Sequence, residues 1–233
     1  MARLETGWKD AQRDRSCAVS DLLSFLPPDF MPALLEGMVV NLQIASLTLI
    51  VGLLIGGVLT AASLTSGFVA VIVTFLIAMI RAMPTFLVMI SLLYLLPRQI
   101  HIAGLTLPLS DVSIVVLSLL PYAVAYVFDN FSESIRQWRR GQLIAALQVL
   151  PNLSRMYFIL IMSSASGAAI GVTEGVATLV RYSNRVDAIN ERLLIFAVGI
   201  ILYGIVMQTG FALVNLLRTV LIARVSKQPQ SQG

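Results

Sequence analysis

Three ionisable side chains, Arg81, Asp129 and Glu174, stand inside or at the edges of long apolar runs. Their placement alone calls for chemistry. A charge in hydrocarbon costs several kcal/mol unless it meets a partner, water or a bound solute. Each is therefore a candidate for a polar pathway or a substrate contact. Arg81 and Asp129 have a plainer reading as well, because residues near the ends of apolar runs can reach the membrane surface with their heads. Glu174 lies deeper in its run and reads as part of a polar pathway or an internal ion pair, or as an edge residue if that helix begins late.

Other kinds of chemistry fail on inventory. His101 is the single histidine and falls in an expected external loop, away from the apolar serines. Cys17 is the single cysteine, so no internal disulfide and no Cys/His zinc cluster can form. The run Ser164-Ala165-Ser166-Gly167 is similar to the serine motif of intramembrane rhomboid proteases but lacks its leading glycine, and small residues at a helix contact explain it as well. Lys9 and Lys227 are the only lysines and neither follows a glycine, so no phosphate-binding P-loop is present. If ATP drives anything here, another chain supplies it.

The elements that must position the three charges are membrane helices. Of 233 residues, 58% are apolar and 12% charged, against about 45–50% and about 25% in soluble domains. The net charge is +4, but the bases do not interleave with aromatics, which argues against a nucleic-acid surface. Five apolar stretches, 38–64, 68–96, 112–128, 156–180 and 193–217, are each long enough to cross or nearly cross a bilayer. Pro84 predicts a break within the second stretch and Pro121 sits inside the third. The expected fold class is all-α, a polytopic transmembrane bundle of about five spans. Residues 97–110 read as a loop. Gly52 and Gly56 have the small-xxx-small spacing that permits close helix packing.

Arginine placement sets the orientation. Residues 130–155 hold Arg136, Arg139, Arg140 and Arg155, and the tail after Arg218 adds Arg224 and Lys227 without an acid, so both are expected in the cytoplasm. Five spans then put the N-terminus outside. The opening segment shows no removable signal peptide. The expected organisation is a polar N-terminal segment (1–35), a transmembrane domain (36–225) with a cytoplasmic loop at about 130–155, and a disordered tail (226–233).

With those elements in place, the order of several short motifs resembles the permease subunits of polar amino-acid ABC importers, the histidine/glutamine/arginine type. Gly37 and Asn41-Leu42 open the first helix where that family has glycine and then Thr-Leu. Arg81-Ala82-Met83-Pro84, Tyr94 and Leu96-Pro97 follow its Arg-Gly-Thr-Pro, Tyr and Leu-Pro series. Ala125-Tyr126 with Asp129 is similar to its Ala-Tyr-x-x-Glu element. Fifteen residues after Tyr126 come Gly141-Gln142, then Ala145-Ala146, at the spacing of the Gly-Gln-x-Glu-Ala-Ala coupling motif. Two departures stand out. Ile144 replaces the coupling glutamate, and Arg181-Tyr182-Ser183 is a poor match for the Lys-Asp-Thr-Ser element expected after the fourth helix.

The resemblance implies a type I ABC importer permease fold in a bacterial inner membrane. It implies a substrate pathway involving Arg81, Tyr126, Asp129 and Glu174, and an ATPase-coupling helix carrying Gly141, Gln142, Ile144, Ala145, Ala146 and Leu147. The implied partners are a second permease chain, a cytoplasmic ABC ATPase that carries the ATP–Mg²⁺, an extracytoplasmic amino-acid-binding protein and membrane lipid, with no cofactor on this chain and no nucleic acid. The competing expectation is a non-transporting membrane scaffold subunit derived from such a permease, motivated by the lost coupling glutamate.

Overall fold

The computed structural model describes residues 26–226 except 66, 98, 103, 104, 143–145 and 147, with only the backbone described at 100–108, 217, 218 and 221–226. Helix α1 spans Phe30–Ser63, α2 Phe68–Arg81, α3 Thr85–Leu95, α4 Asp111–Arg139, α5 Val149–Ser164, α6 Gly175–Ser183 and α7 Ile189–Ser226. Among the described residues, four helices are long and apolar enough to cross a membrane, and α2 with α3 makes a fifth span if that bent pair counts as one.

The expected break at Pro84 is a 90° bend. Proline has no N–H to donate, and the residue before it is pushed out of the helical region. Thus α2 stops at Arg81, and Pro84, in extended conformation, caps α3. Pro121 behaves differently and stays within a continuous α4.

Three expectations need correction. Residues 97–110 are not wholly a loop: β1 (Gln99–Ile102) and β2 (Leu105–Pro108) pair as an antiparallel hairpin, with His101 opposite Thr106. The stretch 156–180 is not one continuous helix. After α5 comes a 3₁₀ turn over Ala165–Ile170, then Gly171 at φ 94°, where the left-handed backbone favours glycine, and α6 begins only at Gly175. The polar segment 130–155 also proves mostly helical, since α4 runs to Arg139 and α5 starts at Val149, leaving a short connection and placing Arg155 inside α5.

The bundle is organised around α1, which packs along α4, α5 and α6. Its buried residues recur every three or four positions, among them Leu34, Met38, Asn41, Ala45, Thr48, Gly52, Gly56 and Thr60, the spacing of one helix face. Glycines on that stripe let neighbours approach closely. A Cβ at Gly52 would lie 2.8 Å from the Ala123 Cβ, and one at Gly56 would lie 2.8 Å from Val127 and 2.9 Å from the Val124 carbonyl oxygen. The contacts 52 with 123 and 56 with 127 advance together, so α1 and α4 run parallel. Hydrogen bonds from Ser134 to the Ala146 carbonyl and from Asn152 to Asn130 advance oppositely, so α5 runs antiparallel to α4.

At the N-terminal end of α1, the Asp29 carboxylate leaves the helix uncapped and accepts a hydrogen bond of 2.6 Å from the Tyr182 hydroxyl. Arg185 stands 3.7 Å away. The Tyr182 bond, assisted by the Asp29 backbone and by Arg185 and Arg181, holds the Asp29 carboxyl below its ordinary value. A depressed carboxyl stabilises the fold above its unfolded pKa of about 3.9, and that contribution disappears as pH falls through the folded value. Asp29→Asn is therefore expected to lower the melting temperature slightly at pH 7 and by less at pH 2.5. Equal loss at both pH values, measured by thermal unfolding in detergent, would reject the linkage.

Candidate functional site

The bend at Pro84 turns the last residue of α2 toward the middle of α4. There the Arg81 Nη2 donates to both carboxylate oxygens of Asp129, at 2.7 and 2.8 Å. Both side chains are about half exposed, at 57% and 50%. The pair closes one side of a cleft of about 200 Å³. Thr85, Tyr122 and Tyr126 add hydroxyls to its lining, and Ile80, Met83 and Ala125 form its apolar walls. The two tyrosines lie one helical turn apart with ring centroids at 5.9 Å. Such a volume is smaller than the ~300–1,000 Å³ of drug-sized pockets. It suits a small polar solute. An ion pair this exposed contributes little to stability, of order 0–1 kcal/mol.

Glu174 does not line this cleft. It is fully buried at the helix break between the 3₁₀ turn and α6. Its carboxylate accepts from the backbone N–H groups of Val176 (2.8 Å) and Ala177 (2.7 Å), so it caps α6. Asn41 of α1 completes the arrangement. The Asn41 Nδ2 donates to Glu174 Oε2 at 3.0 Å and to Ser164 Oγ at 2.6 Å. Its Oδ1 accepts from the Gly175 N–H at 3.0 Å and from the Tyr203 hydroxyl at 2.9 Å. Broken helices at membrane depth are tolerated only where the freed backbone groups find other partners, and here one glutamate and one asparagine supply them. The close fit depends on two glycines. A Cβ on Gly37 would come within 2.8 Å of the Glu174 backbone, and one on Gly175 would overlap the Tyr203 hydroxyl.

Of the four expected pathway residues, the structure gathers Arg81, Tyr126 and Asp129 in one cleft and sets Glu174 in a separate buried network. Asn41, Ser164 and Tyr203 were not singled out from sequence as partners of Glu174. A polar amide within an apolar run, as Asn41 is, was the available signal.

The expected coupling residues are partly visible. Gly141, at φ 74° with open space around it, ends the α4 segment, and its N–H donates to the Trp138 carbonyl. Gln142 is exposed, and its N–H bonds the Gln137 carbonyl. Ala146 is buried, its carbonyl held by Ser134 at 2.7 Å. Leu143, Ile144, Ala145 and Leu147 lie outside the described residues.

No protein-family model matches this chain. No curated protein sequence matches it significantly either. Among solved structures, a crystal structure of an amino acid ABC transporter with histidines superposes with a TM-score of 0.61 at 16% identity, over 82% of this chain and 95% of that one. Together with the candidate spans, that likeness identifies the architecture: the chain has the multi-pass helical fold of an ABC transporter permease.

Proposed function

We propose that this chain is the membrane-spanning permease subunit of an ATP-driven ABC importer for polar or charged amino acids, of type I, in a bacterial cytoplasmic membrane. The observation that carries the reading is the Arg81–Asp129 pair in a tyrosine-lined cleft, on a fold like that of an amino acid ABC transporter chain. An ion pair half open to its surroundings offers a zwitterion both a cation for its carboxylate and a carboxylate for its ammonium group. Exchange between the internal pair and the solute keeps every charge matched while the solute moves. Too few helices surround the cleft to enclose a path, so a second permease chain, the same or homologous, forms the other wall. A binding protein outside delivers the amino acid.

Residues 141–147 form the contact with the cytoplasmic ATPase, which carries the ATP–Mg²⁺. The glycine at 141 lets the chain leave α4, and the bond from Ser134 to the Ala146 carbonyl ties the segment back to the same helix. Movement of the ATPase is thereby transmitted to the helix that bears Tyr122, Tyr126 and Asp129. This is the kind of packed two-state link that coupling requires.

Affinity purification of the chain from its native membrane is expected to bring down an ABC ATPase, and cells carrying the complex are expected to take up at least one radiolabelled polar amino acid. Arg81→Gln or Asp129→Asn should each reduce initial uptake by about tenfold or more, as loss of a charge-assisted contact predicts. ATPase retention should stay unchanged. A chain that purifies with no ATPase, or uptake indifferent to both substitutions, would favour the scaffold instead.

A further inference from the structure

Among the described residues, α7 is the least buried of the spanning helices, and its two sides differ in a way that lipid does not explain. One side packs inward. Ile195 is buried, Leu202 and Val206 pack with it against α1 and α6, and the Tyr203 hydroxyl reaches Asn41. The other side carries Ala197, Ile201, Gly204, Gln208, Phe211 and Asn215, all exposed. Their spacings alternate between four and three, which keeps them on one line along the helix.

That line runs down the middle of the outward side, with Ile200 and Ile205 exposed on its flanks. In lipid the middle should be the most apolar strip of the helix. Here it holds a glycine and two amides. Among the described residues neither the Gln208 nor the Asn215 side chain has a hydrogen-bond partner, whereas the Thr209 and Thr219 hydroxyls donate to carbonyls of their own helix. An amide left in hydrocarbon without a partner is costly. Against another helix it is satisfied and holds the two helices together.

The spacing also identifies the facing helix, because a line that repeats every seven residues is the seam of a left-handed helix pair. Gln208 and Asn215 stand seven apart, at equivalent places of successive heptads. Two copies of one chain insert with the same topology, so their α7 helices run parallel about a two-fold axis along the membrane normal. Each seam residue then meets its own counterpart. A side-chain amide donates and accepts at once, so like amides satisfy each other across the axis. Gly204 has open space around it, which lets the two backbones come close. Phe211 leaves room as well, since its ring leans back on Phe158 with centroids 4.1 Å apart.

We propose that α7 is the helix through which two copies of this chain join, with Gln208 and Asn215 as the paired polar layers that set the register. The inference deepens the transport reading, on whose need for a second chain it rests, by naming that chain as a copy of this one.

The test uses the full chain in membranes, with Cys17→Ser removing the single native thiol. Ile201→Cys, Gly204→Cys, Gln208→Cys and Asn215→Cys on the seam are compared with Ile200→Cys, Ile205→Cys and Leu213→Cys off it. A disulfide forms only where two α-carbons approach within about 7 Å, so oxidation by copper phenanthroline is expected to give about fivefold or more linked dimer at the seam than off it. Gln208→Leu together with Asn215→Leu should raise the dimer dissociation constant in detergent by about threefold or more, read by mass photometry. Equal linkage on and off the seam, or differently tagged copies that fail to co-purify, would overturn the inference. If Gln208→Cys and Asn215→Cys react instead with a charged, water-soluble thiol reagent and form no dimer, the line faces an aqueous path and the seam is rejected, while the transport reading stands. ATPase retention and uptake by the Cys17→Ser chain are measured alongside. Their loss counts against the transport reading, whereas the seam is decided by the cross-links.

Discussion

An Asn41→Leu variant is expected to lose about 3 kcal/mol or more of stability, the largest effect of any single polar substitution in the bundle. Asn41 makes four hydrogen bonds to groups on three other segments: Ser164 of α5, Glu174 and Gly175 at the helix break, and Tyr203 of α7. Leucine fills similar space but donates and accepts nothing. It would leave the Gly175 N–H and the Tyr203 hydroxyl without their partner, and a buried polar group left unpaired costs about 1–3 kcal/mol. Typical hydrogen bonds between membrane helices average only ~0.6 kcal/mol, because the unfolded chain in a membrane also finds partners. That average would predict a smaller loss. The four bonds converge on a broken helix, however, where the freed N–H of Gly175 has no helical alternative, so the larger figure should hold. Thermal unfolding in detergent, with Glu174→Gln as the milder comparison, measures it. A wild-type melting temperature for Asn41→Leu would mean that water or rearrangement satisfies the break and that the network is dispensable.

Gly56→Leu is expected to be of similar severity for a different reason. Even the first added carbon would sit 2.8 Å from two atoms of Val127 and 2.9 Å from the Val124 backbone oxygen. A side chain can swing away, but a helix carbonyl cannot move without shifting α4. Overpacking of this kind costs about 1–3 kcal/mol and occasionally more, and here it would also displace the helix that carries Tyr122, Tyr126 and Asp129. Gly57 is the internal control. It occupies the next position, and a Cβ there would meet only the Phe131 ring at 3.7 Å, an ordinary contact. Gly57→Leu should therefore be close to neutral, whereas Gly56→Leu should both lower the melting temperature and reduce the yield of folded chain. In a Gly56→Ala background, Val127→Ala should recover part of the loss. Equal behaviour of the two leucine variants would show that the close α1–α4 approach is not needed for stability.

The sequence by itself determined the class of the molecule and its main breaks. Apolar stretches of bilayer length leave helices as the only economical way to satisfy the backbone, so the helical spans could be read directly, although their ends, above all in 156–180, could not. Pro84 had to interrupt its stretch because it lacks an N–H, and the motif order gave Arg81, Tyr126 and Asp129 as companions before their cleft was seen. Pairing across the bundle was a different matter. Which neighbour each part of the stripe with Asn41, Thr48 and Gly56 meets is not stated by spacing along one helix. Glu174 illustrates the limit: its run is apolar enough to read as one continuous span, and nothing local states that the helix stops at Gly171 and restarts with the glutamate as its cap. That break is stable only because Asn41, 133 positions earlier in the chain, supplies the missing partners. Arg155 shows the same limit. Counted with its neighbours it belonged to a basic loop, whereas it lies within α5. Local composition fixes which segments leave water, because transfer free energy accumulates residue by residue. Tertiary structure decides which buried polar groups meet, because that depends on register between helices distant in sequence.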